Sequence, residues 1–131
     1  MFPRISRMLL CALIVAACMS ASAGSAPSPE KARKAQITGY LVDVSCSHDE
    51  VEAGPAWGQK HTRACLLMPV CVRSGYAVLT EDNQVIRFDA NGNQRAYKLI
   101  LATTQEKDWR VHVRGLQAGD QMKVSNLELI K

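Results

Sequence analysis

Apolar and polar side chains alternate most cleanly near the C-terminus. There Trp109, Val111 and Val113 fall on one face, and Arg110, His112 and Arg114 on the other. This is the period of a half-buried strand. Tyr76 to Thr80 (YAVLT) and Val85 to Asp89 (VIRFD) read as two more strands around a Glu81-Asp82-Asn83-Gln84 turn. Ile37 to Val44 (ITGYLVDV) is rich in β-formers, with Gly39 marking a bulge or a close backbone approach. After a turn at Gly119-Asp120, Gln121 to Ile130 is a last strand. Its apolar phase shifts from Met122/Val124 to Leu127/Leu129, which predicts a bulge at Ser125-Asn126.

The remaining segments lack that alternation. Residues 45–58 show no period and contain Gly54, Pro55 and Gly58, so they read as loop. Gln59 to Met68 (QKHTRACLLM) reads as a helix that Pro69 must end or kink. Residues 94–104 allow two readings. Ala96, Tyr97, Ile100 and Leu101 keep a helical spacing behind an Asn93 cap, whereas Asn91-Gly92 is a hairpin signal and Tyr97/Leu99/Leu101 alternate. The helix is the preferred reading.

The resulting order is strand, Cys-rich insertion, strand, strand, helix, strand, strand. It predicts a mainly β protein, a small five-stranded OB-like barrel with a Cys-rich helical insertion between strands 1 and 2. At Thr38-Gly39-Tyr40-Leu41-Val42-Asp43 followed by Cys46, at His61, Cys65 and Cys71, at Ser74-Gly75-Tyr76 and at Gly119-Asp120, the chain resembles small exported bacterial proteins with OB-like barrels and a Cys/His-containing insertion. That resemblance spans most of residues 37–130 and implies a fold and an address, with no activity attached.

The N-terminus reads as a secretory signal over residues 1–23. Arg4 and Arg7 precede the apolar run Met8 to Ala17, and Ala21-Ser22-Ala23 fits a small-x-small cleavage site. Val15-Ala16-Ala17-Cys18 also resembles a lipobox, which would make Cys18 a lipidated N-terminus. Residues 24–35 read as a flexible polar leader and 36–131 as one domain. These readings predict export to the periplasm or outer envelope of a bacterium, with any membrane contact through the signal or a lipid on Cys18.

The 16 Lys+Arg fall to 14 once Arg4 and Arg7 leave with the signal, against 12 Asp+Glu. A balance so near neutral gives no electrostatic case for nucleic acid. An envelope protein or a glycan is the expected partner. Trp57, in Gly54-Pro55-Ala56-Trp57-Gly58, is the aromatic placed to serve as an exposed platform.

Cys46, Cys65 and Cys71 remain in the domain, an odd number in a compartment where thiols oxidise. One disulfide can form, and Cys46–Cys71 is preferred over Cys46–Cys65. On a continuous helix Cys65 and Cys71 would face apart, whereas a bridge from Cys46 ties the first strand to the insertion. The competing reading makes Cys46, His48, His61, Cys65 and Cys71 ligands of a Cu or Zn ion, because thiolate and imidazole suit soft or borderline metals. On one helix His61, Cys65 and Met68 would share a face, although Met68 beside Leu66 and Leu67 reads first as core. His112, between two arginines, stays outside any site. No Cys-x-x-Cys, zinc-finger spacing, phosphate loop or paired carboxylate is present. A Cys65/His61 nucleophile lacks an orienting residue, so no enzyme is expected. The sequence thus predicts an envelope binding or structural module stapled by a disulfide, with metal binding as the alternative.

Overall fold

The computed structural model describes residues 30–131. The segment expected to be a signal (residues 1–23), residues 24–29 of the expected leader and Cys18, the expected lipidation site, lie outside them. Among the described residues no helix is long and apolar enough to cross a membrane. The elements are β1 (Arg33–Asp43), α1 (Val44–Glu50), a 3-10 turn (Val51–Ala53), α2 (Pro55–Lys60), α3 (Arg63–Leu66), α4 (Pro69–Ser74), β2 (Tyr76–Thr80), β3 (Val85–Phe88), α5 (Ala90–Ala102), β4 (Arg110–Ala118) and β5 (Gln121–Leu129).

The strands close into a barrel in the order β1-β2-β3-β5-β4, with β3 and β5 parallel and the other pairs antiparallel. This is the expected OB-like barrel. Its interior is filled by alternate residues: Leu41 from β1, Val78 from β2, Ile86 and Phe88 from β3, Val111 and Val113 from β4, Met122 and Val124 from β5. Trp109 is fully buried among them. The segment 94–104 is helical as far as Ala102, in α5, which packs Ala96 and Ile100 against this core. Asp89 caps that helix by accepting from Gly92 N at 2.9 Å.

Two strand details agree with the sequence. The β4–β5 register jumps from Arg114↔Asn126 to Gly115↔Val124, leaving Ser125 as the extra residue of a bulge. A Cβ on Gly39 would overlap the Leu79 carbonyl oxygen, so β1 and β2 approach closely there because glycine has none. Two details differ. β1 starts at Arg33, paired with Gln117, so residues 33–35 belong to the barrel and not to a flexible leader. Residues 45–58 are largely helical, because Asp43 Oδ1 accepts from Cys46 N at 2.8 Å and starts α1, while Pro55 sits in the first turn of α2.

All five residues of β2 are buried. One side faces the barrel interior. On the other, Ala77 and Leu79 join Tyr40 and Val42 in a second apolar cluster, which the insertion covers with Val44 and Trp57. The insertion leaves and rejoins the barrel at one point: Asp43 pairs with Tyr76, and Val44 N donates to Gly75 O at 2.9 Å. It is also tied down in its middle, by Arg63 N to Glu106 O at 2.7 Å and Tyr76 Oη to Leu66 O at 2.9 Å. Residues 44–75 are therefore a fixed cap on the barrel, and what they bring together stays together.

Candidate metal centre

The site begins with the last residue of β1. Asp43 is fully buried, and each of its carboxylate oxygens has a partner. Oδ1 holds the N-terminus of α1 at Cys46 N, and Oδ2 lies 2.8 Å from Nε2 of the buried His61. Burial alone would raise this carboxyl group. The hydrogen bonds from His61, from the Cys46 N–H and from Cys71, with the nearby His61 charge, outweigh burial and hold it below its ordinary value.

His61 reaches Asp43 because the chain does not run on as a helix. α2 ends there, with His61 and Thr62 both extended. Thr62 then starts α3, its hydroxyl accepting from Cys65 N at 3.2 Å. The single helix expected over 59–68 is thus two helices around a break. His61, Cys65 and Met68 share no helical face, and Met68, expected as core, is 48% exposed ahead of α4. Pro69 opens α4 in its first turn, where its missing N–H costs nothing.

These breaks carry Cys65 and Cys71 to the same place. Cys46 Sγ lies 3.8 Å from Cys65 Sγ and 3.9 Å from Cys71 Sγ. A disulfide holds its sulfurs about 2.05 Å apart, so the expected Cys46–Cys71 bridge, and its Cys46–Cys65 alternative, are not formed. All three cysteines are free thiols. Cys46 stands almost equidistant between the other two, a placement that favours neither pairing.

One donor atom each from Asp43, Cys46, His61 and Cys65 lie within 4.8 Å of one another. Three of the five residues proposed as ligands from sequence are therefore brought together. Cys71 borders the group, against Cys46 and Asp43. His48 is left out: α1 turns Cys46 and His48, two residues apart, to different sides, as a helical rise of about 100° per residue requires. Its side chain is 89% exposed and pairs with Asp49 at 3.2 Å. Asp43 is the member sequence reasoning missed. The available signal was an N-cap residue type at the end of a strand, three positions before Cys46.

Trp57, expected as an exposed aromatic, is only partly exposed. It is half-buried on the second apolar cluster, with its ring centroid 4.8 Å from that of His61. His112 is outside the site, hydrogen-bonded to Thr38 Oγ1 at 3.1 Å.

Neither Cys46 nor Cys71 is an activated nucleophile. Burial, then the Asp43 charge, pushes Cys71 up to about 11 and lifts Cys46 well above the usual thiol range. Reactive cysteines have lowered values. Sulfurs crowded on a carboxylate and an imidazole are instead a donor set that a cation can bind by displacing thiol protons. Comparison with protein-family models, with curated proteins and with solved structures finds no match to this chain.

Proposed function

We propose that this protein binds one zinc ion in the cell envelope, through Asp43, Cys46, His61 and Cys65. The observation that carries this reading is the convergence of those four donors within 4.8 Å, where the insertion leaves the end of β1. Two thiolates, an imidazole and a carboxylate form a mixed donor set that tetrahedral Zn(II) accepts. Cu(I) prefers softer surroundings, and here the donor group includes a carboxylate, while Met68 is 48% exposed. Four protein donors leave no open position for substrate, so the site holds metal for structure, storage or delivery. The envelope address rests on Arg4, Arg7, the apolar run Met8 to Ala17 and the small residues at 21–23. Coordination would also shield these thiols from oxidation there.

A second reading has one observation in its favour. Cys46 Sγ within 3.9 Å of two other sulfurs needs only a small movement to form a disulfide. The protein would then be an envelope binding module stapled at the insertion, with a protein or glycan as partner.

A zinc titration followed by tryptophan fluorescence separates the two. The Trp57 ring lies beside that of His61, tilted 48° to it, whereas Trp109 is fully buried in the barrel. Zinc is expected to change the emission with a one-to-one end point, and Trp57→Phe to remove most of that change. A flat titration with protein whose thiols are titratable would rule out the zinc reading.

A further inference from the structure

A second site lies on the barrel wall, formed by strands β1, β4 and β5 and the first half of α5. It is a cavity of about 660 Å³ lined by Lys34, Arg95, Arg114 and Lys123, with Asn91 and Leu116 among its other residues and no Asp or Glu. The strand registers place the cations deliberately close. Lys34 stands opposite Leu116, and Leu116 opposite Lys123, so the two lysines flank one leucine across three strands. Arg114 is two positions from Leu116 along β4, on the same face. Arg95 comes from α5.

Among the described residues, none of the four cations is in an ion pair; the pairs of this domain lie at His48–Asp49, His61–Asp43, Arg87–Asp120 and Arg110–Glu81. Asp89, just before Asn91, is not among the lining residues, and its Oδ1 accepts from the N–H groups of Gly92 and Val124. In a domain with 14 basic against 12 acidic residues, four uncompensated cations around one concavity are a local concentration that the net charge conceals. Two of them are arginines, whose planar fork matches phosphate oxygens.

We infer that this cavity binds a phosphate-bearing anion, either a free phosphate compound or a phospholipid headgroup. Its volume suits a small ligand. Its lining contains no aromatic residue, so it lacks the stacking platform that single-stranded nucleic acid uses.

The test is calorimetric titration of the full domain with inorganic tripolyphosphate, and co-sedimentation with phosphatidylcholine vesicles with and without phosphatidylglycerol. Saturable binding is expected to at least one probe. Arg95→Gln/Arg114→Gln should weaken it about tenfold or more, while Lys60→Gln/Lys107→Gln, with the same charge loss outside the cavity, should not. Cys46→Ser should leave it unchanged, which separates this site from the metal centre. Both arginines are exposed, and circular dichroism verifies that their variant folds. Binding to tripolyphosphate assigns a free anion, and binding to phosphatidylglycerol vesicles alone assigns a headgroup. No binding to either probe, or binding that survives the arginine variant, overturns the inference.

Discussion

Cys46→Ser is expected to weaken zinc binding by about 100-fold, measured by competition with a chelator of known affinity. Structural zinc sites are worth roughly 12 kcal/mol in small peptides, so losing one of four donors costs about 3 kcal/mol, or about two decades. Cys65→Ser should behave alike, because Cys65 belongs to the same convergent group. Cys71→Ser should cost distinctly less, since Cys71 reaches the group only through Cys46 and Asp43. His48→Ala should cost nothing, its side chain being 89% exposed. This ranking distinguishes the site from a sticky cluster of cysteines. Equal losses for Cys65→Ser, Cys71→Ser and His48→Ala would mean that zinc has no defined position here.

Asp43→Ala is expected to be the most destabilising change at the site even without metal. It removes the cap of α1, worth about 1 kcal/mol, and leaves the buried His61 Nε2 without its partner at a cost of about 1–3 kcal/mol. Together these amount to roughly 2–4 kcal/mol. A domain of this size then melts roughly 10–25 °C lower. The pH dependence follows from the same contacts. Asp43 titrates below its ordinary value of 3.8 in the folded protein. Its contribution is therefore complete above the unfolded value of about 3.9 and is lost as pH falls through the lower, folded one. Thermal melts between about pH 5 and pH 2 should show this loss in the native chain and a flatter profile in Asp43→Asn. Identical slopes would show that the carboxylate is not held by His61 and Cys46.

The barrel was legible because its strands keep a period of two against one apolar interior. Trp109, Val111 and Val113 declared the face of β4, and the phase shift near Ser125 declared the bulge. The residues on the outer side of β2 were less telling, since Ala77 and Leu79 are buried only because an insertion folds over them. Within that insertion the helices are too short for a period to emerge. α1 buries a single residue, Ser47, and α3 spans four. Their signals are caps: Asp43 before Cys46, Thr62 before Cys65, Pro69 at the start of α4. Reading 59–68 as one helix missed the turn at His61, and with it the means by which Cys65 and Cys71 both reach Cys46. The candidate ligand types were visible in the sequence. Their selection was not, because the pairing of Asp43 with His61 and the exclusion of His48 depend on chain directions set by those caps. Net charge was equally blind to the basic cavity, whose four cations come from four elements.

The most direct test of the proposed zinc centre is the intact mass of the protein purified from cells without reductant. It would be recorded under native conditions, and again after denaturing alkylation in the presence of a chelator. The account predicts a chain carrying one zinc ion in the first spectrum and three alkylated cysteines, Cys46, Cys65 and Cys71, in the second. A zinc-free chain with two of these cysteines linked and one alkylated would contradict it, and would establish the insertion as a disulfide-stapled cap.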